Sequence, residues 1–461
     1  MVLAGQLADW VTRIRFEDLP PEVVEVTKLR ILDVLGLALA GANTRFGRSI
    51  RAGTLALSPP GPCRIVGTGE RVGVTMAAFA NASFAQALEF DDTHNESIVH
   101  MSSPSVAAAL ALSQTRLVSG RDLILAIAIS NEVACRVGVV APGQFHRRGF
   151  HPTGLFAPFG VAYGAGKLLG LGAVALAYAA GTCGSFAAGV LECWVDGTDT
   201  KFLHSGWAAQ SGISAAMLAE AGVTGPPKIF EGRFGVFASH VQDPTTSPRF
   251  VRIGEGLGTH WESRLSSFKP FPAAHVLHPY ISALLRLRET HGIRPADVAR
   301  IECPVAEFNV SIVCEPVEEK RAPASQAHSR VCLQYTLAEA LSRGKLGRDA
   351  YGDEARLNPD VLSLARKVEY YVDPEFPGPG RFKGLVRVTL HDGRVLTETE
   401  EYNRGSAENP MSEAELRAKF DDNAADILSA DARDRLAQEI ARTENLTDAS
   451  TLVDLAVGSR Q

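Results

Sequence analysis

The residues with the most chemistry in the shortest span are Glu89-Phe-Asp-Asp-Thr-His-Asn-Glu-Ser-Ile-Val-His100. Four carboxylates, a threonine and two histidines fall within twelve residues, and an Ala-rich apolar run over 106–112 follows. Carboxylates and imidazoles can take and return protons, and a threonine can orient either. Ser102 or Ser103 can cap the next helix and Pro104 suits its first turn, so His100 stands just ahead of a helix N-terminus. That end of the macrodipole favours anions, and a ligand carboxylate could be held there. An ordinary polar loop with capping residues has the same composition, so this cluster alone does not decide.

Three more patches follow the same grammar, with His or Lys placed just before a small-residue or apolar helix. His146 and His151 flank Arg147, Arg148 and Gly149 ahead of a helix over 155–169; Lys201 and His204, three apart, can share a helical face; Lys269, His275 and His278 open a helix over 280–289. If the four converge, they assemble two lysines, several imidazoles and a few carboxylates. No H-E-x-x-H occurs, and His275-x-x-His278 alone is a weak zinc signal. Gly164-Ala-Gly-Lys-Leu168 lacks the spacing and preceding strand of a phosphate loop, and Lys167 reads as a helix-end cation. There is no nucleophile elbow and no dinucleotide fingerprint. Seven cysteines without a C-x-x-C pair read as free thiols of a reducing compartment. What remains is acid–base chemistry without cofactor or metal on a small anionic polycarboxylate. Lysines bind carboxylates, a histidine or carboxylate takes a proton from carbon, and the cations stabilise the enolate-like charge.

The elements that must position these patches are mostly helical. At 461 residues the chain exceeds one core and implies two domains. Hydrophobic residues at 46%, charged ones at 21% and a net charge of −6 describe an ordinary globular protein. They give no reason to expect nucleic acid or an anionic membrane as partner. The first nine residues reach polar and acidic side chains too early for a signal peptide, which reads as cytoplasmic. The twenty uncharged residues over 172–191 read as two buried helices broken near Gly181 rather than a membrane span. Helices are expected from Pro20–Pro21 to Gly41 and over 49–57, 75–88, 106–115, 122–139, 155–169 and 211–222. Strand signals first appear beyond 280, at 298–305, 367–372 and a hairpin of 385–390 with 395–402 around Asp392-Gly393. His391 reads as a turn residue, and Ser412-Glu-Ala-Glu415 as a capping box. The chain is therefore mainly α: a large helical domain from 1–267 and 404–461, with a smaller α+β domain inserted over 268–403.

With those patches on the page, the chain resembles the MmgE/PrpD family from about Leu7 to about Ile427. The likeness rests on Leu88-Glu-Phe-Asp-Asp-Thr-His94, Gly166-Lys-Leu-Leu-Gly-Leu171, Gly197-Thr-Asp-Thr-Lys-Phe-Leu-His204 with Ala208-Ala-Gln-Ser-Gly212, Gly222-Val-Thr-Gly-Pro226, Lys269-Pro-Phe-Pro272 with His278-Pro279, and Tyr335. The family includes 2-methylcitrate dehydratase, cis-aconitate decarboxylase and iminodisuccinate epimerase. The resemblance implies a helical domain, a smaller lid domain, a homodimer and a site between the domains. Asp92, Thr93, His100, His151, Lys201 and Lys269 map onto that site by motif. Two departures stand out. Glu89 replaces the family's usual Asp, and Ala274 stands where the decarboxylase-like pattern has His, with His275 next to it.

The function expected from residues and resemblance together is a lyase of dehydratase type acting on a 2-methylcitrate-like hydroxy-polycarboxylate. His100 or His151 would move the proton, Lys201 and Lys269 would clamp carboxylates, and Asp92 and Thr93 would orient the histidine and the leaving hydroxyl. Glu89, Asp91, His204, His275 and His278 would line the substrate. Rival readings are an epimerase, a decarboxylase and a binding protein on the same scaffold.

Overall fold

The structure is a computed structural model that describes residues 2–378 and 380–458. Its first half is helical: α1 (Leu3–Arg13), α2 (Pro21–Ala42), α3 (Arg45–Leu57), α4 (Val74–Gln86), α5 (Ser102–Ser113), α6 (Gly120–Gly138), α7 (Pro152–Leu168), α8 (Ala173–Phe186) and α9 (Leu203–Glu220). Proline at the first position and Glu22 in the first turn set the start of α2. Its nearly all-apolar second half, from Ile31 onward, is buried on every side. All of α5 is buried as well. Such helices need close neighbours, and their small residues permit them: α7 packs between α6 and α9, and α9 also packs on α4. A Cβ at Gly206 of α9 would collide with Ser83 Oγ and the Phe79 carbonyl of α4, so glycine is what lets these two helices touch.

The run 172–191 is not a pair of helices broken at Gly181, because α8 continues through it. A Cβ at Gly181 would lie 2.6 Å from Gly225 C and Pro226 N, so the glycine serves a close crossing rather than a break. No described helix is long and apolar enough to cross a membrane. Lys167 is a helix-end cation, as expected: it lies in the last turn of α7, and its Nζ also donates to the Val11, Thr12 and Ile14 carbonyls at the end of α1.

The strands begin earlier than expected. Cys63–Arg64 pairs with Arg71–Val72, and Thr93–His94 pairs with Ser266–Ser267, ladders too short to leave an alternating pattern in sequence. The main sheet comes later, with α10 (His278–His291), β1 (Val298–Val305), α11 (Leu333–Arg343), β2 (Val368–Val372), β3 (Gly384–Leu390) and β4 (Val395–Glu400). Its order is β2-β1-β3-β4; β1 and β2 run parallel with Ile301 opposite Val368, and the other neighbours are antiparallel. Gly393 at φ +87° makes the β3–β4 turn. Val386, Val388 and Leu390 alternate inward and share a core with Ile281 and Leu284 of α10.

The chain then returns to the helices. Ser412 and Glu415 exchange the two bonds of a capping box and start α12 (Glu413–Ala424), which packs on α2. Leu35, Phe84 and Leu112 share one core with Phe420, Leu436 and Leu452, residues more than 300 positions later in the chain.

Candidate active site

The loop after α4 carries the first cluster in a strained backbone. Glu89 has φ +55° and Ile98 φ +58°, and among the described non-glycine residues only Gln242 shares that region. For a β-branched isoleucine this is a real outlier, which persists only where the surroundings enforce it. They do so by backbone bonds from His94 N to Val99 O (2.9 Å) and from Ile98 N to His94 O (2.8 Å), and by the ladder to Ser266–Ser267. Two buried cations grip the loop's carbonyls: Arg330 donates to Leu88 O and Pro272 O, and Lys419 to Phe90 O.

The N-terminus of α5 is already occupied. Asp92 accepts from Ser102 N at 3.2 Å and from Ser102 Oγ, and Asp91 accepts from Ser103 Oγ at 2.7 Å. Ser102 and Ser103 are thus inside the helix and are bound by carboxylates from outside it, so the expected ligand anion at this end is displaced by Asp92. Burial pushes the Asp92 carboxyl up, against the pull of Arg30 and Ser102. Its side chain faces Arg30 and α5, and its backbone carbonyl is the part that meets His100.

His100 Nδ1 lies 3.0 Å from the Asp92 carbonyl, 3.2 Å from Asp91 Oδ1 and 3.2 Å from Thr93 Oγ1. A carbonyl only accepts, so Nδ1 carries the proton and the neutral ring keeps its lone pair on Nε2. That nitrogen's nearest carboxylate oxygen is Glu89 Oε1 at 3.9 Å, beyond hydrogen-bond reach. Burial raises the Asp91 carboxyl, but the nearby His100 and Lys269 outweigh it and hold Asp91 below its ordinary value.

Glu89 sits between the two lysines. Lys201 Nζ contacts Oε2; Lys269 Nζ donates to the Glu89 carbonyl at 3.0 Å and lies 3.2 Å from Oε1. Burial alone would raise the Glu89 carboxyl, but Lys201, Lys269 and His100 together keep it well below the carboxylate range. Burial lowers Lys269, with Glu89 and Asp91 opposing.

His151 caps α7 as its N-cap residue and uses both ring nitrogens inside the protein. Thr153 Oγ1 accepts from His100 N, which leaves its hydroxyl proton for His151 Nε2 at 3.3 Å. Nδ1–H of His151 then donates to His204 Nδ1 at 2.9 Å. Burial next to Lys201 holds His151 well below its usual pKa and His204 at about 4, so both are neutral rings. His275 differs. Asn403 Nδ2 donates to its Nε2 at 3.0 Å, which puts the proton on Nδ1, a buried atom with no partner. His278 stacks behind it and binds the Ala273 carbonyl through Nε2. Burial lowers His278 to about 3 and His275 well below its usual value.

These groups surround a cavity of about 50 Å³. Glu89, Thr93, His100, His151, Lys201 and His275 line it. Lys269, Asp91, Asp92, His204 and His278 do not; they stand one layer behind, each against a lining residue or the backbone of the loop. The rest of the wall is Ile98, Trp194, Val276, Phe308, Ile312 and Phe382, with His146 and Ala274. Ile98, His146, Trp194, Phe308 and Ile312 also line an outer cavity of about 1150 Å³, which makes it the approach. Among the described residues no three His, Cys, Asp or Glu side chains are grouped as a metal ion would need.

Sequence reasoning missed the apolar wall, because Phe308, Ile312 and Phe382 carry the pattern of any core residue. It also missed Thr153, Arg330 and Asn403, single polar residues with no motif around them; the buried position of Arg330 was the one unusual feature, and burial is not visible in sequence.

The chain is similar to known proteins over most of its length. The MmgE/PrpD N-terminal domain matches residues 5–249 and the MmgE/PrpD C-terminal domain residues 271–445. Cis-aconitate decarboxylase of Aspergillus terreus is 27% identical over 98% of this chain and 95% of its own length. The human cis-aconitate decarboxylase is 29% identical over 95% and 91%. The 2-methylcitrate dehydratase of Cupriavidus necator is 23% identical over 85% and 83%. With both of its domains matched in order across most of its length, the chain belongs to the MmgE/PrpD family and is an enzyme of lyase type.

Proposed function

We propose that this enzyme is a cofactor-independent lyase of dehydratase type that removes a proton from a carbon beside a carboxylate of a small hydroxy-polycarboxylate. The observation that carries this reading is the tautomer of His100. Its Nδ1–H is held by Asp92 O, with Asp91 Oδ1 3.2 Å away, which leaves the Nε2 lone pair free on a ring that lines the cavity. In the reaction His100 takes the proton from carbon, the C–H electrons form the double bond, and the β-hydroxyl, hydrogen-bonded by His275 Nδ1–H, leaves as water with the proton that His100 has taken. Asp91 stabilises the imidazolium that forms on His100, and Lys201 the charge on the substrate carboxylate. His151 is the weaker base candidate because both of its nitrogens are engaged. The unit over 268–403 acts as the lid, since Ala274, His275, Phe308 and Phe382 all come from it.

A decarboxylase reading has its own support. The decarboxylase relatives match nearly the whole chain, the dehydratases a smaller share at lower identity. There the C–C bond electrons would remain on carbon as carbon dioxide leaves, and His100, entering the reaction protonated, would give its Nε2 proton to that carbon and become neutral. Ala274 lines the cavity where the decarboxylase-like pattern has His, which favours the dehydratase.

Proton NMR in D₂O of the EDTA-treated protein with citrate, 2-methylcitrate, cis-aconitate, iminodisuccinate and the hydroxy-dicarboxylates malate and 3-methylmalate tests both. Loss of a carbon-bound proton signal with an alkene product supports dehydration. Carbon dioxide release supports the second reading, and exchange with inversion and no loss of mass supports an epimerase. No exchange with any member would overturn the proposal in favour of a binding protein.

A further inference from the structure

Resting on the reading of this cavity as the catalytic site, we infer that Glu89 fills, as a carboxylate of the protein itself, the place of one substrate carboxylate, so that the enzyme selects a dicarboxylate bearing an apolar group over a tricarboxylate.

Three observations carry this. The first is occupancy: Glu89 reaches Lys201 through Oε2 and Lys269 through Oε1 and its own carbonyl, so both cations expected to clamp substrate are engaged by one side chain. Glu89 is held at φ +55°, a conformation the surrounding bonds enforce.

The second is charge. Lys201 and Lys269 are balanced by Glu89 and Asp91, and Arg30 by Asp92. Lys201 is the one lysine or arginine among the described residues that lines the inner cavity. A tricarboxylate would bring three charges into a buried site whose one lining lysine is already paired with Glu89 and where Arg330 is turned to the Leu88 and Pro272 carbonyls, and uncompensated buried charge is strongly unfavourable. The approach does not favour it either. Arg147, Arg148 and Lys320 face five carboxylates there, Glu192, Glu315 and Asp373 among them, and the Lys320 Nζ is occupied by the carbonyls of Ile312 and Val331.

The third is the wall away from Glu89. Ile98, Trp194, Val276, Phe308, Ile312 and Phe382 offer a largely apolar surface whose free donors, Trp194 Nε1 and the neighbouring His275 Nδ1, are neutral and bring no charge to pair a further carboxylate. An alkyl group of the substrate would bury against it.

The test compares two acids that differ only there, 2-methylsuccinate and propane-1,2,3-tricarboxylate, by isothermal titration calorimetry on the full chain at neutral pH. The wild type is expected to bind 2-methylsuccinate at least about tenfold tighter. Glu89→Gln, which frees one positive charge, is expected to tighten the tricarboxylate by about tenfold or more, and Glu89→Asp to keep the wild-type preference. Equal or tighter tricarboxylate binding by the wild type would overturn the inference, as would no saturable binding of 2-methylsuccinate at millimolar concentration. If Glu89→Gln does not fold, the wild-type preference decides alone. Deuterium exchange reports on His100 separately: exchange with a tricarboxylate preference removes the charge inference and leaves the chemistry, and a dicarboxylate preference without exchange does the reverse.

Discussion

The two walls of the cavity are built on opposite principles. On the wall from residues 89–100 nearly every polar atom has a partner, and the backbone is strained at Glu89 and Ile98 to bring those atoms together. The wall from 274–276, 308–312 and 382 is apolar, with one unpartnered N–H on His275. The difference teaches where each property resides. A proton base needs a fixed tautomer and a fixed direction, so its wall is over-determined by hydrogen bonds. Shape selectivity needs only surface, so its wall tolerates substitution.

The largest effect is expected from breaking the polar wall's charge balance. Lys269→Met leaves Glu89 buried with Lys201 alone and should cost about 3–5 kcal/mol in urea unfolding. A loss under about 1 kcal/mol would show that the wall is not held by its ion pairs. Next is the single polar atom of the other wall. His275→Ala should lower kcat by ~10²–10⁴, and an unchanged kcat would remove His275 as the donor to the leaving hydroxyl.

Acid should weaken the protein by a third, graded effect. Burial holds His94, His146 and His204 at about 4 and His278 at about 3, whereas the unfolded chain protonates each near about 6.5. Between those values the unfolded state binds more protons, so stability falls as pH falls, by up to about 1.4 kcal/mol per pH unit for each ring. Glu89 and Asp91, both depressed, add their loss only below the ordinary carboxylate range, with the same sign. Melting temperatures from about pH 8 to about pH 4 measure this, and a flat profile would contradict neutral burial of the rings. The smallest effect belongs to the apolar wall: half-buried Phe308→Ala should raise KM by about tenfold or less, roughly 1 kcal/mol, and leave stability near wild type.

Much of this was legible in sequence, but unevenly. His100 and His151 could be read because each stands just before an apolar helix, and the strand 298–305 and the Asp392-Gly393 hairpin because alternation and turn chemistry are local signals. The fate of Asp92 could not be read, since nothing local says that its carboxylate turns back onto Ser102 while its carbonyl turns to His100. Gly181 looked like a helix break because a glycine at a crossing and a glycine at a terminus are the same letter. The ladder of Thr93–His94 with Ser266–Ser267 joins segments more than 170 residues apart and spans two residues, too few for a period. Phe308 and Phe382 carry no mark that separates a pocket wall from a core.

The most direct measurement is the rate of deuterium incorporation at carbon by His100→Asn, followed by proton NMR in D₂O with whichever hydroxy acid the wild type exchanges. Asparagine keeps a donor toward the Asp92 carbonyl and removes the Nε2 lone pair, so exchange is expected to fall by at least about 10²-fold while the fold is retained. Exchange within about tenfold of wild type would contradict His100 as the base, and the same assay on His151→Asn would then show whether the proton moves through the neighbouring ring.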